Sequence, residues 1–229
     1  MKSWKKIWNK REIEQSDNKL LSLIRLDGFD EGAGNISPVN WVNYVNWIRE
    51  RLDLDVTDSV FEVGCGGGAF LYPLYKMGHT VGGIDYATNL IKNIQKTIPD
   101  MIFSHCEAMK LDEFERFDVV FSNSVFQYFE SYDYAEKVVN KMLNKAIKKI
   151  SVLDINDIEK KNDSEKLRRG ILSEEEYEKK YSKFNHLFYE KSFFIDLARK
   201  NDYKIDIFPQ DIKNYSNNPF RFNVIISKQ

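Results

Sequence analysis

The chain has 229 residues, and its 42% of hydrophobic and 14% of aromatic residues are enough for a packed core, which excludes global disorder. Its 34 lysines and arginines stand against 35 aspartates and glutamates, for a formal net charge of -1. The basic excess of proteins that grip a nucleic-acid backbone is missing, so we expect no nucleic-acid partner.

The chain shows no signal for export or for a membrane. Its basic start, Met1 to Lys6, leads into polar residues instead of an apolar run, so we expect no signal peptide. No stretch of about 18 consecutive apolar residues occurs, which predicts no membrane insertion. We therefore expect a cytoplasmic protein in which Cys65 and Cys106 are reduced thiols, too few for a four-ligand zinc site, and we predict no metal.

Residues 1–57 predict a helical cap before the main domain. Spaced tryptophans and leucines in residues 2–24 favour one or two surface helices. The apolar residues of the segment 39–52 recur at helical spacing and predict an amphipathic helix: they are Trp41, Val45, Ile48 and Leu52.

From residue 58 to residue 229, short β-branched runs alternate with helical stretches. Such alternation predicts an α/β fold with a doubly wound, mostly parallel seven-stranded sheet. The last two runs are joined by a short loop, which predicts an antiparallel pair at the sheet edge. The predicted strands are 60–63, 81–84, 101–104, 117–122, 147–153, 203–208 and 221–227.

Residues 155–189 interrupt this alternation and form a predicted lid insertion. The stretch 155–182 is highly charged, and Ser173 and Glu176 have the spacing of a capping box. Two interpretations stay open for this segment: a solvated helical surface, or a lid that covers the site.

The first predicted strand runs into a glycine-rich loop, residues 64–68. Glycines there allow a tight turn and let a ligand lie against bare main chain. Asp85 ends the second predicted strand, 21 residues after Gly64, near the spacing of about 20 expected for an acid that binds ribose hydroxyls. The loop and the acid together predict a nucleoside-binding site at the carboxyl ends of the strands.

Three interpretations of this loop compete: a dinucleotide site, a methyltransferase site and a structural turn without a ligand. Gly64, Gly66 and Ala69 satisfy the dinucleotide pattern. The methyltransferase is favoured because Glu62 stands inside the strand where dinucleotide domains normally keep an apolar residue. The long segment before the strand, and a remainder after residue 155 that is short for a second catalytic domain, favour it as well.

Four segments in this order are similar to motifs of the class I S-adenosylmethionine-dependent methyltransferases. Glu62 to Gly68, with Asp85, resembles the first two motifs. Residues 105–111 are similar to the family's acid-Ala motif, and residues 117–129 resemble its fourth-strand motif. The resemblance covers residues 58–129 well and the remainder in outline.

This resemblance implies S-adenosylmethionine as the cofactor and S-adenosylhomocysteine as the product. In the family, the acid after the third strand binds the adenine amino group, and the loop after the fourth strand lies beneath the methionine part. The acid before the glycines hydrogen bonds near that same end. The cofactor-binding residues implied here are Glu62, Gly64, Cys65, Gly66, Asp85, Tyr86, Glu107, Ala108, Ser122 and Asn123.

Three residues are candidates for the chemistry of the transfer. His186, just before the helical run 193–198, is a candidate base because imidazole exchanges protons near neutral pH. Tyr128 follows the fourth strand and is placed to line the pocket. Arg221 stands on the last strand and offers a fork of donors to an anionic acceptor. A purely structural role stays open for each.

The methyl acceptor is expected to be a small molecule. The fourth motif ends in Phe126-Gln127-Tyr128 where the family often has Leu-His-His, and it lacks the Asn-Pro-Pro-Tyr sequence of enzymes that methylate bases. The tail around Tyr215 and Arg221 resembles small methyltransferases of bacterial polysaccharide and capsule clusters. That resemblance implies an oxygen acceptor on a sugar or on a capsular phosphoramidate or phosphate.

Alternatives to this function stay open. If the chain is not a methyltransferase, it is either a NAD(P)-dependent oxidoreductase of Rossmann type or a non-catalytic partner subunit that binds the cofactor. Both a monomer and a homodimer are compatible with the sequence.

Overall fold

The computed structural model describes residues 2–14, 16–29, 36–171, 173, 175–176 and 186–228. The strands of this part of the chain are β1 (Val60–Val63), β2 (Val81–Asp85), β3 (Ile102–His105), β4 (Phe117–Asn123), β5 (Ala146–Asn156), β6 (Lys204–Pro209) and β7 (Arg221–Ser227). Its α-helices are α1 (Lys2–Trp8), α2 (Lys19–Leu26), α3 (Pro38–Arg51), α4 (Leu71–Lys76), α5 (Thr88–Thr97), α6 (Tyr132–Lys145), α7 (Lys161–Ile171) and α8 (Lys191–Lys200).

The seven strands within the described residues form one sheet in the order β3-β2-β1-β4-β5-β7-β6. The first five are parallel to one another, and β7 runs antiparallel to both β5 and β6. The predicted seven-stranded, mostly parallel sheet is therefore confirmed. The chain order reverses beside β1, because β2 lies on one side of it and β4 on the other, and open α/β sheets bind ligands at such a point.

The helices cover both faces of the sheet. Buried side chains of α2, α3, α4 and α5 form one hydrophobic cluster, and those of α6 and α8 form another. Helix α3 begins where the sequence provides a cap: Ser37 Oγ accepts a hydrogen bond from Asn40 N, and Pro38 occupies the first helical position. The sheet is thereby buried on both sides, as a parallel sheet requires.

Helix α2 corrects the prediction of surface helices in residues 2–24. Its Leu23 and Ile24 are fully buried in the same cluster as the apolar face of α3. Asp27 caps the C-terminal end of the helix, and its backbone N–H bonds to the carbonyl of Leu23. Packing of α2 onto the domain therefore carries Asp27 to the carboxyl edge of the sheet.

The predicted lid segment 155–189 begins later than expected, because β5 continues to Asn156. The strand is irregular at Asp154, which has a φ of 57°. Helix α7 follows, and Ser173 and Glu176 exchange the reciprocal hydrogen bonds of the predicted capping box. Residues 177–185 of the segment lie outside the described residues. No helix of the described part of the chain is long and apolar enough to span a bilayer.

Trp41 connects α3 to the end of the glycine loop. Its ring is fully buried, and its Nε1 donates to the Ala69 carbonyl oxygen at 2.8 Å. We expect Trp41→Phe to lower the free energy of unfolding by about 1–3 kcal/mol, because a buried carbonyl loses its donor. Urea denaturation measures the loss. The control is Trp47→Phe on the same helix, where the ring is half-buried, and an equal loss in both variants would contradict the assignment.

Candidate functional site

A cavity lies at the carboxyl ends of β1, β2 and β4, where the chain order reverses. Two of the residues predicted to bind cofactor, Glu107 and Ser122, do not line it. Glu107 Oε1 pairs with Lys5 Nζ at 2.6 Å, and Ser122 Oγ donates to the carbonyl of Val63. The others do line it: Glu62, Gly64, Cys65, Gly66, Asp85, Tyr86, Ala108 and Asn123.

The backbone of the glycine loop turns back onto β2. The N–H groups of Gly64 and Cys65 both donate to the carbonyl of Ile84, at 2.8 and 2.9 Å. Gly66 has a φ of 54°, and a Cβ at this position would overlap the carboxylate of Asp27. Only glycine gives the loop both this conformation and this close approach.

Asp85 joins the glycine loop to the turn after β2. Its Oδ2 accepts from Gly66 N at 3.0 Å, and its Oδ1 accepts from Ala87 N at 2.7 Å. Burial raises the pKa of Asp85, and these two hydrogen bonds partly oppose that effect. The predicted ribose-binding acid is therefore a fixed, buried carboxyl group on the cavity wall.

Asp27 is a second acid at the loop, and sequence reasoning missed it. Its Oδ1 accepts from Gly67 N at 2.5 Å, and its Oδ2 accepts from Ala69 N at 2.9 Å. Burial raises the pKa of Asp27 to about 7 in spite of these two hydrogen bonds. The signal available in the sequence was an acid directly before Gly28 at the end of an apolar helix.

Glu62 is the third acid, on β1 beneath the loop. Its side chain is 2% exposed, and burial raises its pKa, as do the nearby Asp27 and Asp85. Glu62 Oε2 has no hydrogen-bond partner among the described residues. In the same part of the chain, no ion pair within 4 Å involves any of the three acids.

Such an arrangement suits a ligand that carries positive charge. Buried carboxyl groups without a cation are costly as carboxylates, and a cation that enters the cavity removes much of that cost. Asp27, Glu62 and Asp85 all line the cavity. We call these three side chains the carboxyl cluster.

Helix α1 lies over the other side of the cavity. Trp4 and Trp8 line it and contact Tyr128, with ring centroids 4.8 and 5.5 Å apart. Tyr128 lines the cavity as predicted, and His186 lies beside it, 4.7 Å from the ring of Trp4. Two of the three predicted catalytic residues are thus together, beneath a helix that sequence reasoning had placed on the surface.

The hydrogen bonding of His186 limits its use as a base. Arg168 Nη1 lies 3.3 Å from His186 Nδ1, and because a guanidinium only donates, Nδ1 is the acceptor. Burial lowers the pKa of His186 well below its ordinary value, and the nearby Arg168 and Arg221 lower it further. A neutral ring whose Nδ1 accepts carries its proton on Nε2, so Nε2 is the atom that can donate to a ligand.

Arg221 belongs to a buried polar network behind the cavity. Its Nη1 donates to the carbonyl of Asp154 at 3.1 Å, and Asp154 Oδ2 accepts from Tyr215 Oη at 3.1 Å. Gln210 connects Asp154 to Tyr44, whose hydroxyl donates to Asn123 Oδ1 at 3.2 Å. Asn123 is where this network reaches the cavity.

The known proteins whose sequences are similar to this chain include methyltransferases. A family model described as a methyltransferase domain matches residues 61–151. The ubiquinone biosynthesis O-methyltransferase of Pelagibacter ubique (strain HTCC1062) is 24% identical, over 60% of this chain and 61% of that enzyme. The chain therefore spans about three fifths of that curated relative.

Solved structures share the fold at low identity. Magnesium protoporphyrin IX methyltransferase (ChlM) from Synechocystis PCC 6803 with bound SAM is 14% identical, with a TM-score of 0.60 over 98% of this chain and 90% of that chain. The N-methyltransferase NodS from Bradyrhizobium japonicum WM9 in complex with SAH is 12% identical, with a TM-score of 0.60 over 81% and 85%. The chain thus has the seven-stranded Rossmann-like fold of the class I methyltransferases, and its residues 61–151 match the methyltransferase domain family.

Proposed function

We propose that the protein is an S-adenosylmethionine-dependent methyltransferase that acts on a small molecule. The carboxyl cluster of Asp27, Glu62 and Asp85 carries this proposal. S-Adenosylmethionine brings two positive groups, a sulfonium and an ammonium, into a cavity whose three acids form no ion pair within 4 Å among the described residues. The nearby Arg11 lowers the pKa of Asp27, but burial outweighs it, and Glu62 Oε2 has no hydrogen-bond partner among the same residues. The methyltransferases of like fold that were solved with SAM or SAH support the same cofactor.

The same cluster argues against a dinucleotide. In a dinucleotide site the N–H groups of the glycine loop face the pyrophosphate. Here those of Gly67 and Ala69 donate to Asp27, and that of Gly66 donates to Asp85. A pyrophosphate would have to displace two carboxyl groups from these N–H groups, and either carboxyl group would repel it once ionised.

Each wall of the cavity suits one part of the cofactor. By the family resemblance, Asp85 would bind the ribose, Tyr86 and Ala108 the adenine, and Glu62 and Asn123 the methionine end. When bound, the cofactor supplies an electrophilic methyl group. Trp4 and Trp8 cover the cavity and would exclude water, which strengthens the electrostatic interactions inside it.

For the acceptor, we propose an oxygen of a sugar or of a capsular phosphoramidate or phosphate. The guanidinium of Arg168 lies 3.3 Å from Nδ1 of His186, whose ring contacts the cavity-lining Tyr128, and a cation on this side of the cavity favours an anionic acceptor. An anionic oxygen needs no base, which agrees with a His186 that donates through Nε2. The similar proteins include an O-methyltransferase and an N-methyltransferase. The proposal that the acceptor atom is an oxygen therefore rests on the charges around His186 alone.

We further propose that the protein acts in the cytoplasm, as a monomer or homodimer, without a nucleic-acid partner. In this proposal residues 1–57 form a helical cap, and residues 155–189 form a lid insertion of the methyltransferase domain. Helix α1 supports the first assignment, because Trp4 and Trp8 lie against the cavity.

Isothermal titration calorimetry tests the cofactor directly. We expect S-adenosylmethionine and S-adenosylhomocysteine to bind with micromolar dissociation constants and NADH to give no heat. The physical reason is charge, because the first two ligands bring an ammonium to the carboxyl cluster and NADH brings a pyrophosphate. Heat with NADH alone would refute the proposal and support the oxidoreductase.

A further inference from the structure

Asp27 is the member of the carboxyl cluster to which no role has been assigned. It comes from the end of α2, 40 residues before the loop that it contacts. We propose that Asp27 recognises the ammonium group at the amino-acid end of the cofactor. This inference rests on the proposed function and adds a cofactor-binding residue outside the glycine-loop motifs.

The position of Asp27 along the cavity supports this assignment. Tyr86 and Ala108 lie at the tips of β2 and β3, where the adenine is proposed to bind. Asp27 contacts the loop at Gly67 and Ala69, just beyond Gly66, which Asp85 contacts, and next to the Ala69 carbonyl that Trp41 binds. In this proposal a ligand whose ribose is held by Asp85 places its amino-acid end on the Trp41 side of the loop, within reach of Asp27.

The hydrogen-bonding capacity of the cluster calls for a donor as well as a charge. Each oxygen of Asp27 accepts one backbone N–H and has a further lone pair. Glu62 Oε2, in a side chain that is 2% exposed and lines the same cavity, has no partner among the described residues. This unpartnered buried oxygen is an observation independent of Asp27, and it also calls for a donor.

Of the two positive groups of the cofactor, only the ammonium meets both needs. A sulfonium carries charge but no hydrogen-bond donor, whereas an ammonium has three donors. Hydrogen bonds between ionised groups are about twice as strong as neutral ones. The carboxylate at the same end of the cofactor would be repelled by Asp27 and Glu62, so the ammonium is the group that faces them.

The test uses ligands without a sulfonium, so that only the ammonium varies. S-Adenosylhomocysteine is compared by calorimetry with its desamino analogue, in which hydrogen replaces the amino group and the carboxylate is kept. We expect the wild type to prefer S-adenosylhomocysteine by about 10- to 100-fold, as a charged hydrogen bond would give. In Asp27→Asn we expect this preference to fall by about tenfold, the effect of one hydrogen bond to a charged group, while Glu62 keeps any remainder.

Asp85→Asn is the matched control, because Asp85 is also a buried acid that accepts N–H groups of the loop. Asp85→Asn should weaken the binding of both ligands and leave the ratio of their dissociation constants unchanged. A wild type that does not distinguish the two ligands, or an Asp27→Asn variant that keeps the full preference, overturns the inference. If the Asp27→Asn variant does not fold, Asp27→Ser takes its place in the same comparison, because serine also removes the carboxylate. Failure of the wild type to bind either ligand would instead refute the proposed function.

Discussion

We expect the ligand-free protein to lose stability as the pH rises from about 4 to about 7, and we expect Asp27→Asn to remove about 4 kcal/mol of that loss. Burial raises the pKa of Asp27 from 3.8 to about 7. In this range the folded protein holds a proton that the unfolded chain has released. The stabilisation is complete below pH 4 and lost above pH 7, and one pH unit corresponds to about 1.4 kcal/mol.

Urea denaturation followed by tryptophan fluorescence, at several pH values from 4 to 8, measures this effect. The asparagine keeps one acceptor for the two N–H groups of Gly67 and Ala69, so the variant loses a hydrogen bond. The loss of this hydrogen bond lowers the free energy of unfolding by the same amount at every pH. It therefore cannot produce the expected difference in how that free energy changes with pH. Asp112→Asn is the control, because Asp112 is exposed and accepts a single N–H, from Phe114. The prediction would be contradicted if the free energy of unfolding changed with pH equally in the wild type and in Asp27→Asn.

The two proposed effects of Asp27 are linked. An acid that is protonated in the ligand-free protein near neutral pH must release its proton to pair with an ammonium. Binding of S-adenosylhomocysteine should therefore release protons below about pH 7, which calorimetry in buffers of different ionisation enthalpy detects. A site that destabilises the folded chain until its ligand arrives is a common compromise between stability and function.

The glycine loop and Asp85 could be predicted because they belong to one βαβ unit. Their separation is fixed by one helix and two short strands, so spacing along the chain reports position in space. Alternation along a strand explains why Ser122 and Asn123 differ. Neighbouring side chains point to opposite faces, so Asn123 reaches the cavity while Ser122 bonds to the backbone of β1.

The contributions of Asp27 and α1 could not be predicted, because they depend on packing between distant segments. Asp27 is 40 residues from Gly67, and Lys5 is 102 residues from Glu107. No local pattern states which loop a helix end will contact. The pairing of Glu107 with Lys5 is an example. The sequence indicates an acid at the adenine motif, but it does not indicate that a lysine from α1 pairs with this acid.

The largest expected effect on ligand binding comes from Asp85→Ala. This change leaves the N–H groups of Gly66 and Ala87 without their acceptor and removes the proposed partner of the ribose hydroxyls. We expect the affinity for S-adenosylhomocysteine to fall by about 1–3 kcal/mol for the lost hydrogen bonds to the ribose. Calorimetric titration of the folded variant measures the change.

Asp118→Ala separates binding from general stability. Asp118 lies at the opposite end of the sheet, where its carboxylate accepts from the backbone N and the hydroxyl of Ser59 and pairs with Lys148. Both variants remove a carboxylate that joins two strand ends, so both should lower the free energy of unfolding. Of the two variants, Asp85→Ala alone should weaken the binding of the ligand, because Asp85 lines the cavity and Asp118 does not. Equal affinities in the two variants would remove Asp85 from the cofactor site and leave it the purely structural role of joining the loop to β2.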